Sequence, residues 1–137
     1  MNDSTNAAIR VDFYPGAYGP TIRIILNTRQ QLQTFLNTLQ SLDANEDVSI
    51  ALEELPDFAL SGIQRFVFQT VLSTQESSKK LTISGGQNPS VTWKQTREDW
   101  KLAADQVAVF TSGDSPSHHY LTYEGIDDAL VEVAYRE

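Results

Sequence analysis

Cysteine is absent from the 137-residue chain, and with it go disulfide frameworks, thiol nucleophiles and thiolate metal sites. Long apolar runs are absent as well. Ile24-Ile25-Leu26 and Val107-Ala108-Val109-Phe110 fall far short of a membrane-spanning helix, which takes about 20 residues. Basic residues are scarce: ten Lys and Arg stand against eighteen Asp and Glu, a net charge of −8. Nucleic-acid binding neutralises phosphates with Lys and Arg, and anionic membrane surfaces attract the same side chains, so both partners are disfavoured. A basic protein partner is favoured instead, because long-range attraction speeds encounter. The opening residues Met1-Asn2-Asp3-Ser4-Thr5-Asn6 show neither the positive n-region nor the apolar h-region of a signal peptide, so the expected location is the cytoplasm.

What is present suffices for one core. Forty per cent of the residues are hydrophobic and nine per cent aromatic, and a chain of this size buries roughly two-thirds of its unfolded surface. A single domain over 1–137 is expected.

Two stretches of the chain resemble each other. Asn27-Thr28-Arg29 precedes Leu32, Phe35, Leu36, Leu39 and Leu42 at helical spacing. Gln95-Thr96-Arg97 precedes Trp100, Ala103, Ala104, Val107 and Phe110, and each of these positions lies 68 residues after its counterpart. Asn27 or Thr28, and Thr96, are candidate N-caps, with Glu98 and Asp99 suiting the positive end of the second helix. Upstream of each helix two segments alternate as strands. They are Ala8–Phe13 with Pro20–Ile24, and Lys80–Ile83 with Pro89–Trp93, joined by Gly/Pro-bearing turns. Downstream come Val48–Leu52 and His119–Tyr123, then a shared Glu-x-x-Asp-x-Ala-Leu pattern at Glu54–Leu60 and Glu124–Leu130, then strands at Ile63–Leu72 and Ala129–Tyr135. The pattern predicts an α+β fold of two ββαββ repeats with pseudo-twofold symmetry, over about 7–72 and 79–137, joined by the polar segment 73–78. Antiparallel pairing is expected because the connections are short. The two helices would cover one face of either one eight-stranded sheet or two packed sheets.

Signatures of catalysis are missing. His118 and His119 are adjacent, so on a strand their rings point to opposite faces, and no third metal ligand stands at a recognisable spacing. Ser112, Ser115 and Ser117 lack a nucleophile-elbow context. Gly85-Gly86 is followed by a strand rather than the helix that a phosphate cradle needs. No catalytic residue, metal or cofactor is assigned.

Charge placement is more informative. Gln30 to Gln64 contains acids but no Lys or Arg, and so does Leu102 to Tyr135. Acids therefore gather at the C-terminal end of each helix and on the Glu-x-x-Asp segments. Near a helix C-terminus they oppose the macrodipole, so helix stability does not account for them. Glu53, Glu54, Asp57, Glu124, Asp127 and Asp128 are the candidate partner-binding acids, although Asp also serves turns by bonding nearby backbone. Tyr14 and Tyr18, in a Pro/Gly-stiffened loop, are candidate aromatic anchors offering large contact area at low entropic cost.

A small, acidic, cysteine-free α+β chain without a catalytic signature, ending in the strand Ala129–Tyr135, resembles the bacterial immunity proteins. The resemblance lies in general character and carries no diagnostic motif, so no family residue transfers to this sequence. It implies a non-catalytic inhibitor that binds a cognate toxin domain, often a nuclease, and occludes its basic cleft with an acidic surface. Two other readings remain open. One is a self-associating module, such as a homodimer, using Phe66–Leu72 as a sheet edge. The other is a small-ligand binder with a pocket between the repeats.

Overall fold

The computed structural model of the chain describes residues 8–72, 79–113, 115–122 and 127–137. In chain order the elements are β1 (Ile9–Gly16), β2 (Gly19–Leu26), α1 (Arg29–Leu42), β3 (Ser49–Ala51), a 3-10 turn (Leu52–Glu54), β4 (Phe58–Ser61), β5 (Arg65–Thr70), β6 (Leu81–Ser84), β7 (Ser90–Gln95), α2 (Arg97–Phe110), β8 (Ser117–Tyr120) and β9 (Leu130–Tyr135). The class is α+β, as expected from the sequence. The polar joint 73–78 lies outside the described residues.

Both helices begin where their caps predict. The Thr28 hydroxyl accepts the Gln31 N–H at 3.0 Å, while the Gln31 side chain reaches back to the Asn27 N–H at 2.7 Å. This is close to a capping box. Thr96 accepts the Asp99 N–H at 3.2 Å in the same way. The apolar stripes then bury as their spacing demands: Leu32, Phe35, Leu39 and Leu42 on α1, and Trp100, Ala103, Ala104 and Val107 on α2. The helices pack on each other, and the pair is shared between the sheets. α1 touches β2 and β5, while α2 touches β7 and β8. Among the described residues no helix is long and apolar enough to cross a membrane.

The strands form two sheets, one of five strands in the order β4-β1-β2-β9-β8 and one of four in the order β3-β5-β7-β6. The antiparallel expectation is corrected here, because both sheets are mixed. β1·β2, β3·β5, β6·β7 and β8·β9 pair antiparallel, whereas β1·β4, β2·β9 and β5·β7 pair parallel. Short connections do force antiparallel pairing between chain neighbours. The parallel pairs join strands with other elements between them in sequence, where that argument has no force. Each sheet takes strands from both halves of the chain, so the halves interlock instead of forming two separate ββαββ units. The two sheets share one pairing pattern, β1-β2-β9-β8 and β6-β7-β5-β3, each antiparallel, parallel and antiparallel in turn, and the first half adds the further strand β4. The shared Glu-x-x-Asp-x-Ala-Leu pattern accordingly leads into different positions: β4 lies beside β1, and β9 lies beside β2.

The edge proposed at Phe66–Leu72 is also corrected. β5 lies between β3 and β7, with Phe66 and Phe68 fully buried. Phe68 stacks on Trp100 at 5.2 Å between ring centroids, and Trp93 meets Trp100 edge-on at 4.9 Å. Phe66 and Phe68 lie in the core, Phe68 against α2. A single core cluster runs through both sheets and both helices.

Candidate partner-binding surfaces

The acids nominated from the Glu-x-x-Asp segments divide into two groups. Glu53 turns inward: one carboxylate oxygen accepts the Phe66 N–H at 3.0 Å, and the other lies 3.5 Å from Arg65 Nε. Asp127 accepts the N–H groups of Lys80 and Leu81, and Asp128 accepts that of Ile83 at 2.9 Å. Asp128 also pairs with Lys79 at 2.7 Å. The Lys79 hydrogen bond, followed by the Ile83 N–H, holds the Asp128 carboxyl below its ordinary range. These three acids thus anchor backbone. Glu54 and Asp57 are exposed. Asp57 lines an open groove of about 440 Å³ beside Thr34, Asn37, Ser41 and Leu55. Glu124 lies outside the described residues.

A denser acidic surface forms where the C-terminus of α1 meets the N-terminus of α2. Arg97, the first residue of α2, donates to the Asp43 carbonyl at 2.8 Å and so caps an α1 end that has no basic residue in its last turn. A groove of about 260 Å³ opens beside this contact, lined by Glu46, Val71, Leu72, Thr96, Arg97 and Glu98. Asp43 and Asp47 flank Glu46 in the chain, and Asp43 Oδ1 lies 3.8 Å from Arg97 Nε. Glu46, Asp47 and Glu98 are exposed, and the apolar side chain of Leu72 is 76% exposed beside them. Sequence spacing placed acids at the end of α1. It did not reveal that α2 brings Glu98 to the same groove, because that depends on how the helices pack.

The second surface is the outward face of the five-stranded sheet. Alternation puts Ile22, Ile24, Val131 and Val133 in the core and leaves their neighbours Arg23 and Glu132 on the other side. In-register pairing aligns Ser61, Asp12, Arg23, Glu132 and Tyr120 in one row across the strands. Tyr14 donates its hydroxyl to Glu132 Oε1 at 3.1 Å, and Arg23 Nε lies 3.8 Å from the same oxygen. Glu132 is only 6% exposed. Burial, reinforced by the Glu132 carboxylate, raises the pKa values of Tyr14 and Tyr120 above the ordinary phenol value. The segment from Pro15 to Pro20 is a tight hairpin rather than an open loop. Gly16 pairs with Gly19, whose φ of +118° suits glycine, and Tyr18 projects from the turn at 67% exposure.

The adjacent histidines part as strand geometry requires. His119 stacks on Phe110 at 5.4 Å between ring centroids. His118 Nδ1 lies 2.8 Å from Glu137 Oε2. That hydrogen bond raises the His118 pKa and lowers that of Glu137. His118, Glu132 and Glu137 each offer one donor atom, all within 4.8 Å of one another. Glu132 and Glu137 escaped the sequence reading as companions of His118 because they lie on the neighbouring strand β9 and just beyond it, at no motif spacing. Compared with known proteins, the chain matches no family model, no curated protein and no solved structure.

Proposed function

We propose that the chain is a non-catalytic protein-binding module of the immunity type, an inhibitor that docks an acidic surface on a basic partner and blocks its cleft. The observation that carries this reading is the groove at the α1–α2 junction, where Glu46 and Glu98 flank exposed Leu72. Asp43 at the end of α1 meets Arg97 at 3.8 Å, while Glu46 and Asp47 stand beyond the helix end, where its dipole gives them no stabilising role. An exposed apolar side chain rimmed by unbalanced carboxylates suits a basic protein surface, with the charges setting encounter rate and the apolar contact setting residence. The overall charge of −8 acts in the same direction at long range.

The test begins with capture of partners from cell lysate at low and at high salt, followed by direct titration of whichever basic protein is captured. The triple variant Glu46→Gln, Asp47→Asn, Glu98→Gln removes the rim charges while keeping the shape. The reading expects salt-sensitive binding that this variant weakens at least tenfold, and inhibition of the partner's activity by the unaltered chain. Binding indifferent to both salt and variant would rule out the acidic groove as the docking surface.

A further inference from the structure

We propose that the outward face of the five-stranded sheet holds a site for one divalent transition-metal ion of the zinc class, formed by His118 Nδ1, a Glu132 carboxylate oxygen and a Glu137 carboxylate oxygen. The site is separate from the acidic groove and does not depend on the function proposed for it. Its donors lie within 4.8 Å of one another. Zinc draws such donors to about 2.0–2.2 Å from a common centre, so closure asks for small side-chain movements only. The imidazole sets the class of ion: Mg²⁺ and Ca²⁺ take oxygen ligands, whereas a mixed imidazole–carboxylate set suits zinc and its neighbours.

Two independent features of the same face point to a cation. Glu132 is more than nine-tenths buried, and its contacts from Tyr14 and Arg23 both fall on Oε1. A buried carboxylate met by one phenol hydroxyl and by an arginine only within 3.8 Å is a charge loosely matched, and a cation beside it offsets the cost of its burial. The second feature concerns the cation already present. Arg23 donates to Glu137 Oε1 at 3.0 Å, yet its Nε is buried with no hydrogen-bond partner. Asp12, directly across from Arg23 on β1, likewise has Oδ1 buried without a partner, while its Oδ2 pairs with Arg10 at 2.9 Å. Arg23 can therefore leave the two glutamates for Asp12 when a metal takes them, and both unsatisfied atoms then gain a partner. Three protein donors leave a further coordination position for water or for a side chain of a bound protein.

Adjacent histidines make the proposal sharp, because only one of them faces the glutamates. The experiment is calorimetric titration of Zn²⁺ into the full chain in non-chelating buffer, with circular dichroism confirming that each variant is folded. One equivalent is expected to bind with a dissociation constant below roughly 0.1 mM. His118→Ala and Glu137→Gln should each weaken binding by about 10- to 100-fold or more, since even residues behind the first ligands have effects of that size. His119→Ala should leave it unchanged, and Arg23→Gln should tighten it by removing the competing cation. Absence of saturable binding, or an equal loss with His119→Ala and His118→Ala, would overturn the assignment.

Discussion

Asp127 gathers the backbone N–H groups of Lys80 and Leu81 onto one carboxylate oxygen, at 2.7 and 3.1 Å. Its neighbour continues the pattern: Asp128 accepts the Ile83 N–H on its carboxylate and donates its own N–H to the Leu81 carbonyl at 3.1 Å. β6 has β7 on one side and ends the four-stranded sheet on the other. The two aspartates thus stand where another strand would add, and their charge makes that edge a poor template for one.

Removing the Asp127 carboxylate should therefore destabilise the fold before it affects any partner. Two hydrogen bonds to a charged acceptor are lost and two N–H groups are left to water, so Asp127→Ala should cost about 2 kcal/mol. Asp127→Asn, which keeps an acceptor oxygen, should cost less. Urea midpoints at constant slope measure both. An unchanged midpoint together with lost partner binding would return this residue to the docking surface.

Asp128 gives the edge a defined response to pH. Its folded pKa is lowered, first by the Lys79 hydrogen bond and then by the Ile83 N–H. A depressed carboxyl contributes stability above its unfolded value of about 3.9, and the contribution disappears as pH falls through the folded value. The stability gap between the unaltered chain and Asp128→Asn should accordingly be full at neutral pH and close in strong acid. Urea titrations at about pH 7 and about pH 2.5 would measure it. A gap of the same size at both would mean that the carboxylate's ionisation is not what holds Ile83.

Trp100 carries the junction between α2 and the four-stranded sheet. It is fully buried, stacks on Phe68, meets Trp93 edge-on and donates Nε1–H to the Gln69 carbonyl at 3.2 Å. Trp100→Ala should cost about 3–5 kcal/mol through the cavity it leaves. Near-ultraviolet circular dichroism should fall sharply, because the tryptophan pair produces much of that signal. A loss below about 1 kcal/mol would mean that the cavity collapses, against the close packing seen at this point.

The parts of the fold that depend on local pattern were legible in the residues. Thr28 and Thr96 mark helix starts because a hydroxyl can satisfy the orphan N–H groups of a first turn, and the Leu32–Leu42 stripe marks a buried face. The pairing of β2 with β9 and of β5 with β7 was not legible. Nothing local to Ile24 or Phe68 records which distant strand will lie beside it. The same gap governs the sites. Tyr14 and Tyr18 stood out by composition, but their neighbours Glu132 and Tyr120 reach them only through parallel and antiparallel register. Asp127 and Asp128 stood as docking acids or as turn residues bonding nearby backbone, and their bonds to the distant N–H groups of Lys80, Leu81 and Ile83 leave no trace in spacing.

Arg23 and Glu132 supply the last test. Glu132 is buried, while the Arg23 side chain remains 35% exposed, and their closest approach is 3.8 Å. At that separation the pair offers attraction without a hydrogen bond, and solvent screens part of it. Taking away the arginine removes a cation beside the buried carboxylate and leaves it the Tyr14 hydrogen bond, and removing one partner of such a pair costs more than the pair was worth. In metal-free protein, Arg23→Ala should therefore lower stability by about 1–2 kcal/mol. Glu132→Gln should change it by less than about 1 kcal/mol, because it removes a buried charge that was only loosely matched. The double variant should be more stable than Arg23→Ala by itself, as the orphaned charge is gone. If Glu132→Gln instead proves the more damaging single change, the carboxylate is better satisfied in the fold than a 3.8 Å contact and one phenol hydroxyl can account for.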